Sequence, residues 1–269
     1  MRSPMPEESA APILMTAADG IVRITLNRPE RGNAFDGTLH GALRDALDRI
    51  EGDHTCRVLI LTGAGKHFCA GQNLAERASQ LQAGPIDLSA SLDANYNPLI
   101  RRLAALPIPV IAAVNGPAAG AGASLAIASD LAIAKRSARF QFSFAKVGLG
   151  LDCGASWLLL RRIGEARALG LALTADSVNA EEAAKMGLIW KAVEDDAFAT
   201  EVESLARGLA RGPRAALAVI KRQLRQPLQS LDEALEMERT TQGQLGRSPD
   251  YREAVTAFVA RRQPKFSDG

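Results

Sequence analysis

Residues 109–134 read PVIAAVNGPAAGAGASLAIASDLAIA, and this stretch decides the fold. It opens with a proline and a short apolar run, residues 110–114, which is typical of a buried strand. Residues 115–123 follow and are mostly glycine and alanine. A helix is predicted over about 124–128, and the next strand over 131–134. A strand, a loop of small residues and a helix in this order favour a layered α/β architecture.

A second loop of the same kind is FCAGQNL, residues 68–74, which follows the predicted strand 58–62. Small residues let the backbone approach a ligand, and free N–H groups at a helix N-terminus suit an oxyanion or a phosphate. Tight helix packing would explain one such loop alone. Gly120-x-Gly122 lacks the third glycine of a dinucleotide-binding loop, and no GKS or GKT indicates a P-loop. Ser124 in GASLA does not match the nucleophile elbow of serine hydrolases.

Asp152 lies in an apolar segment, VGLGLDCGASW, residues 147–157. An ionised carboxylate without a partner is costly in such surroundings. One hypothesis makes Asp152 the N-cap of the following helix. The other makes it a catalytic acid or base, whose pKa is raised by burial among Leu149, Leu151 and Trp157. Both roles are compatible, and the sequence leaves both open.

The composition excludes several classes of protein. The chain has 269 residues, 47% of them hydrophobic, and a net charge of +2, which gives no broad basic field for nucleic acid or a membrane surface. Its three cysteines and three histidines show no metal-ligand spacing, so no metal is expected. The first dozen residues lack the apolar core of a secretory signal, and no run is long enough to span a membrane. We expect a cytoplasmic protein that acts on small molecules.

The pattern of elements divides the chain into an α/β core, residues 1–195, and a C-terminal helical region, residues 196–269. The segment 75–90 is polar and contains Gly84-Pro85, so it is predicted as a mobile connection that could cover a site. Further strands are predicted over 21–27, 139–142 and 188–193. Helices are predicted over 36–50, 95–106, 165–173, 180–186, 196–211, 213–225, 231–245 and 250–261.

Five segments together resemble the crotonase family, also called the enoyl-CoA hydratase/isomerase superfamily. They are LNRPERGNAF (26–35), LILTGAGKHFCAGQNL (59–74), the stretch 109–134, KVGLGLDCGASW (146–157) and AEEAAKMGLIWKAV (180–193). The resemblance covers about residues 21–266. It implies a ClpP/crotonase-like spiral of ββα units with a C-terminal helical trimerisation region, and assembly as a homotrimer or a dimer of trimers.

The resemblance also implies a site for an acyl-CoA thioester. The backbone N–H groups of Gln72 and Ala121 match the oxyanion hole that grips the thioester oxygen, and Asp152 matches the working aspartate of several isomerases and a dehalogenase. The two glutamates with which the hydratases of the family activate water are replaced by Ser124 and Phe144. An isomerase is therefore expected rather than an ordinary hydratase.

Other residues match the parts of the family that hold coenzyme A and the acyl group. The expected contacts are Arg31, Ala34, Lys66, Ala70, Asn73, Tyr96 and Gly120. Arg262 and Lys265 could reach the coenzyme A of a neighbouring subunit, although a solvated surface position is the simpler interpretation of Lys265. Coenzyme A enters as part of the substrate, and no separate cofactor is implied.

Within the family, three segments are most similar to members that rearrange an epoxidised phenylacetyl-CoA: residues 96–116, 146–159 and 247–266. Gly150-Leu151 and Asn73 depart from residues that these relatives often carry. The alternatives are a Δ3,Δ2-enoyl-CoA isomerase or a hydratase of fatty-acid breakdown, and a non-catalytic scaffold that binds coenzyme A.

Overall fold

A computed structural model describes residues 11–226 and 230–266. The expectation that the first dozen residues carry no secretory signal concerns mainly residues 1–10, which lie outside the described residues. The strands are β1 Ile13–Ala18, β2 Ile21–Leu26, β3 Val58–Gly63, β4 Val110–Val114, β5 Ala118–Ala119, β6 Leu131–Lys135, β7 Arg139–Gln141, β8 Ser177–Asn179 and β9 Lys191–Val193. The helices are α1 Gly37–Gly52, α2 Leu74–Ala83, α3 Leu88–Ser91, α4 Asn97–Ala105, α5 Ala121–Ala128, α6 Ala155–Thr174, α7 Ala180–Lys185, α8 Phe198–Ala210, α9 Arg214–Arg225, α10 Leu231–Leu245 and α11 Pro249–Val259.

The strands form two sheets. Six strands make the larger sheet in the order β1-β2-β3-β4-β6-β9, and β5, β7 and β8 make the smaller one. In the larger sheet only the β1–β2 pair is antiparallel. Each of the units β4-β5-α5 and β6-β7-α6 places one strand in the large sheet, one in the small sheet and then a helix. This confirms the layered α/β architecture, with the small sheet beside the glycine-rich loops.

The central strands β3, β4 and β6 are buried on both faces, which explains why they are nearly continuous apolar runs rather than alternating ones. One face packs Ile60, Ile111 and Ile133 against α8. The other face belongs to the main hydrophobic core, which includes α5 and the N-terminal half of α6. The first helix of the C-terminal region therefore covers the sheet, while α9 and α10 pack against each other.

Four differences from the predicted elements have physical causes. The segment 75–90, for which no helix was predicted, contains most of α2 and of α3; α2 buries no side chain and so gives no apolar face to detect. The central helix begins at Ala121 rather than Ser124, since its first turn consists of small residues. The helix predicted from 165 begins at Ala155, and a kink at Gly164 obscures its period. Strands β1 and β8 were not predicted.

In the two described ranges, none of the helices combines the length and the apolar character that a membrane crossing requires.

Candidate functional site

The two glycine-rich loops lie directly against each other. Ala119 N donates to Cys69 O at 2.9 Å. A β-carbon on Gly122 would lie only 2.2 Å from Cys69 O, and one on Gly71 would lie 2.8 Å from Ala119 O. Such approaches are possible only without side chains. The packing therefore brings the start of α5 next to the segment that leads into Gln72.

The N–H groups of Gln72 and Ala121 are left available where these loops meet. The neighbouring amides are occupied: Asn73 N donates to Phe35 O at 2.8 Å, and Gly120 N donates to Gln141 O at 2.8 Å. Ala121 is the first residue of α5, so its N–H has no acceptor inside the helix. In the part of the chain that the structure describes, the N–H of Gln72 has no acceptor either. Two unpaired donors on adjacent loops suit an oxyanion.

The side chain of Gln72 is fixed by a buried tyrosine. Tyr96 donates its hydroxyl proton to Gln72 Oε1 at 2.5 Å, and Gln72 Nε2 donates to Phe35 O at 3.1 Å. The ring of Tyr96 lies edge-on to Phe35 and His40. Tyr96 ends a π-helical turn, Leu92–Tyr96, a rare conformation that is often found at functional sites. The turn directs Tyr96 toward the Gln72 loop.

Asp152 does not cap a helix, so that hypothesis is wrong. The N-cap of α6 is Gly154, and two consecutive left-handed residues, Cys153 (φ 52°) and Gly154 (φ 76°), separate Asp152 from the helix. Asp152 Oδ1 is buried without a hydrogen-bond partner. Burial raises the pKa of Asp152, and a hydrogen bond with Cys153 opposes that rise only in part. The carboxylate is therefore held in an environment that favours proton uptake.

Tyr96 is hydrogen-bonded to the Gln72 loop and lies within electrostatic reach of Asp152. Burial raises the pKa of the Tyr96 phenol, and the neighbouring Cys153, Asp152 and Cys69 raise it further. Tyr96 therefore stays protonated and lies near both Asp152 and the first glycine-rich loop. Cys153 also remains a thiol, because burial and the charge of Asp152 raise its pKa.

Two asparagines, the buried Asn33 and the half-buried Asn115, hold the first loop in place, although the sequence analysis did not predict this role. Asn33 Nδ2 donates to Ala64 O at 2.9 Å and to His67 O at 2.8 Å. Asn115 Nδ2 donates to Gly65 O at 3.1 Å and to His67 O at 3.3 Å. Their positions, after a proline turn and directly after β4, were the available signal. Both side chains clamp the same carbonyl and so fix the path of the chain into the site.

Of the residues expected to hold coenzyme A, some are available to a ligand, whereas Asn73 already uses its side chain within the protein. Ala70 N donates to Gly32 O at 2.9 Å, which joins the segment of Arg31 and Ala34 to the first loop. Arg31 and Lys66 are exposed. Asn73, by contrast, is the N-cap of α2 and accepts from the N–H groups of residues 75 and 76. Its side-chain oxygen, Oδ1, therefore already accepts two hydrogen bonds.

The structure also shows the surroundings of the C-terminal candidates, Arg262 and Lys265, and of the two residues that stand where hydratases carry glutamates. Arg262 forms an ion pair with Glu253 at 2.6 Å, and Glu253 also accepts from Lys265 N at 2.7 Å. Ser124 is fully buried and donates its hydroxyl proton to Gly120 O at 3.2 Å. Phe144 is buried as well. Neither position supplies a titratable group.

An open groove of about 900 Å³ lies along α8 and is lined by residues such as Arg23, Phe198 and Arg211. It contains none of the candidate residues. We place the candidate site at the paired loops, because the unpaired donors lie there and the partly buried Asp152 lies within electrostatic reach of Tyr96, which bonds to Gln72.

Comparison with known proteins identifies the architecture. The family model described as enoyl-CoA hydratase/isomerase matches residues 16–269. The chain is 48% identical to the 1,2-epoxyphenylacetyl-CoA isomerase of Escherichia coli K12 over 256 residues, covering 95% of this chain and 98% of the relative. It is 44% identical to a probable enoyl-CoA hydratase of Rhodobacter capsulatus, covering 93% of this chain and 95% of that one.

Solved structures agree with this assignment. The enoyl-CoA hydratase of Bacillus anthracis superposes with a TM-score of 0.89 at 30% identity, covering 96% of this chain and all of that one. The spiral α/β fold implied by the sequence resemblance is thereby confirmed. The chain belongs to the crotonase, or enoyl-CoA hydratase/isomerase, family.

Proposed function

We propose that this protein is an acyl-CoA isomerase in which Asp152 is the catalytic acid and base and the N–H groups of Gln72 and Ala121 form the oxyanion hole. The observation that carries the proposal is the carboxylate of Asp152, with one oxygen buried and unpartnered close to Tyr96 and the first loop. A buried carboxylate oxygen without a hydrogen-bond partner is costly to stability and is therefore often functional.

The chemistry follows from these groups. Asp152 removes a proton from the carbon next to the thioester, and the electron pair moves toward the thioester oxygen. The N–H groups of Gln72 and Ala121 donate to that oxygen, which becomes more negative in the transition state than in the substrate. Asp152 then returns the proton to a carbon further along the conjugated system. With the epoxide as substrate, the ring bond between the two epoxide carbons also breaks as the ring expands to an oxepin, its electrons enter the new double bonds, and no atom is gained or lost.

For the substrate we propose 2-(1,2-epoxy-1,2-dihydrophenyl)acetyl-CoA, as acted on by family members of phenylacetate degradation. The support is the similarity to the isomerase of Escherichia coli together with uncharged residues, Ser124 and Phe144, at the positions of the hydratase acids. A hydratase acting through Asp152 alone is the second candidate, favoured by the similarity to the Rhodobacter protein. A Δ3,Δ2-enoyl-CoA isomerase would use the same proton transfer on an aliphatic chain.

Arg31, Ala34, Lys66 and Ala70 are our proposed contacts for the coenzyme A part of the substrate. Exposed cations suit its phosphates. We also propose a homotrimer or a dimer of trimers, supported by large apolar side chains that the single chain leaves exposed. Leu224 is 83% exposed and Phe258 is 84% exposed.

The products distinguish these functions. The purified protein is incubated in D₂O with the epoxide, with a 3-enoyl-CoA and with a 2-enoyl-CoA, and each product is analysed by mass spectrometry. An isomerase returns a product of unchanged composition, with deuterium incorporated to the extent that Asp152 exchanges with solvent. A hydratase adds the mass of one D₂O. Binding of coenzyme A without turnover of any substrate would favour a scaffold and contradict the proposal.

The pH profile tests the state of Asp152. Because burial raises its pKa above the ordinary value of 3.8, we expect kcat/KM to fall on the acid side with a midpoint above 3.8. Burial lowers the pKa of His40 to about 4 and its ring packs against Tyr96, so a His40→Gln variant is measured in parallel and should keep the same acid limb. Steady-state rates from pH 3.5 to 9, with stability checked at each pH, measure the midpoint. A midpoint at or below 3.8 would argue against Asp152 as the base.

Tyr96→Phe tests the support of the oxyanion hole. The substitution removes one hydroxyl and leaves the ring packing intact, so Gln72 loses its short hydrogen bond. We expect kcat to fall about tenfold, as the loss of roughly 1 to 1.5 kcal/mol implies, with little change in the affinity for coenzyme A. The chain offers a matched control, Tyr251→Phe, because Tyr251 is its other tyrosine and is exposed. Equal rates for the two variants would refute the positioning role.

A further inference from the structure

The C-terminal end of α5 is held by charged side chains from distant parts of the chain. All eight residues of α5, from Ala121 to Ala128, are buried and none is charged. The carbonyls of the last turn of a buried helix cannot turn to water and need other donors. Ser129 donates its hydroxyl proton to Leu125 O at 3.3 Å, which satisfies one of them.

Two arginines satisfy the carbonyls that follow. Arg162 of α6 donates to Ile127 O at 2.8 Å and to Ser129 O at 3.0 Å. Arg225, at the end of α9, donates to Ala128 O at 2.8 Å. Thus α6 and the C-terminal helical region both reach the same end of α5.

A lysine and an aspartate complete the cluster. Lys221 of α9 is only 9% exposed and donates to Leu103 O and Ile108 O, each at 3.0 Å. Asp130 lies 2.9 Å from Lys221 Nζ and 2.6 Å from Arg225 Nη2. Asp130 Oδ2 also accepts from the N–H of the first residue of β4 at 2.8 Å. We call Asp130, Arg162, Lys221 and Arg225 the basal cluster.

The basal cluster has an uneven charge balance, with three cations and one carboxylate among its four members. Burial lowers the pKa of both Arg162 and Lys221, which shows that water does little to screen them. Helix carbonyls take the place of the missing anions. Cations at the C-terminus of a helix stabilise the helix. Their electrostatic potential is positive along the helix axis, so it adds to the positive potential at the N-terminal end of the helix.

The other end of α5 carries the N–H of Ala121. An eight-residue helix is about 12 Å long, so the basal cluster lies one short, rigid and entirely buried element away from this donor. We propose that Arg162 and Arg225 are positioning residues for the reaction: they fix and polarise α5 from its C-terminal end and so set how strongly the Ala121 N–H stabilises the developing enolate oxygen. This inference rests on the oxyanion role proposed above for Ala121.

The experiment compares Arg225→Gln and Arg162→Gln with the wild type. Each substitution removes the charge and keeps a donor of hydrogen bonds. The matched control is Arg222→Gln, because Arg222 is exposed on the same helix as Arg225. Rates are measured with the substrate that the wild type turns over. The second readout is the infrared carbonyl band of bound hexanoyl-CoA, labelled with ¹³C at the thioester carbon. This ligand has no carbon–carbon double bond to move and is therefore not isomerised.

We expect each of the two cluster variants to lose about tenfold in kcat, with an unchanged affinity for free coenzyme A. In the wild type the bound carbonyl band shifts to lower frequency than in solution, because the oxyanion hole polarises the bond. In the cluster variants the band moves back toward its solution position. The Arg222→Gln control keeps both the wild-type rate and the wild-type band.

Three results would overturn or separate the proposals. A cluster variant with a full wild-type band, whatever its rate, limits Arg162 and Arg225 to a structural role. If a glutamine variant does not fold, Arg225→Lys and Arg162→Lys are measured instead, because they keep the charge and lose only the planar fork of donors. A carbonyl band between the wild-type and the solution positions supports the inference. A band at the wild-type position overturns it. A wild-type band equal to the solution band would refute the oxyanion hole itself, independently of the basal cluster.

Discussion

Asp152→Asn is expected to abolish isomerisation almost completely, with kcat lower by roughly 10²- to 10⁴-fold. The substitution keeps the size and shape of the side chain and removes the group that accepts and returns the proton. Since no hydrogen bond of Asp152 Oδ1 is lost, the loops should stay in place and the affinity for coenzyme A should not change. Product formation and coenzyme A binding are measured on the same preparation.

Stability separates a chemical effect of this substitution from a structural one. The folded-state pKa of Asp152 is raised, so the folded protein loses stability as the pH rises from 3.8 through that pKa, and the penalty persists at higher pH. Removing the charge removes the penalty. The melting temperature at pH 7.5 should therefore be equal to or higher than that of the wild type. The exposed Asp176→Asn serves as the control, and retention of more than a tenth of the activity by Asp152→Asn would contradict the assigned role.

Gly122→Ala is expected to have the second large effect, on both stability and activity. The added β-carbon would lie 2.2 Å from Cys69 O and 2.7 Å from Cys69 Cβ, so the two loops must separate. We expect a loss of about 3 kcal/mol in the free energy of unfolding. A displacement of the donors by about 1 Å can cost on the order of 10²-fold in rate. Denaturant unfolding and steady-state kinetics measure the two effects.

The control for this prediction is Gly208→Ala in the last turn of α8. A β-carbon there meets nothing within 4 Å. Alanine is the better helix former, so this variant should gain about 0.5 to 1 kcal/mol and keep its activity. If Gly122→Ala behaves like Gly208→Ala, the loops are less tightly packed than the structure indicates, and their close approach does not position the donors.

The sequence predicted much of the fold because the relevant signals are local. Continuous apolar runs such as β4, closed by proline or glycine, mark buried parallel strands, and the small residues of 115–123 mark the close contact of two loops. The exposed helix α2 gave no such signal, since it buries no side chain. The first strand, β1, was missed because it lies at the edge of the sheet and is largely exposed.

The candidate site was predictable only in part. Its residues are separated along the chain, and which of them meet depends on tertiary packing that no spacing reveals. Asp152 was interpretable as a helix cap until the left-handed Cys153 excluded it, because a positive φ at a residue other than glycine is set by its surroundings. Likewise, nothing local indicates that Tyr96 bonds to Gln72 or that Asn33 and Asn115 share one carbonyl.

The parallel order of the large sheet has a consequence for how the chain reaches its native state. Val58 pairs with Ile21, Val110 with Leu59, and Lys191 with Ile133, so three of the four parallel pairs of the large sheet close long loops. Such non-local pairing slows folding and leaves intermediates with exposed apolar surface. During synthesis, the carbonyl oxygen of Ala128 at the end of α5 also lacks its hydrogen bond from Arg225 until Arg225 has left the ribosome. A nascent chain therefore carries the complete glycine-rich loops long before it can hold them in their working geometry.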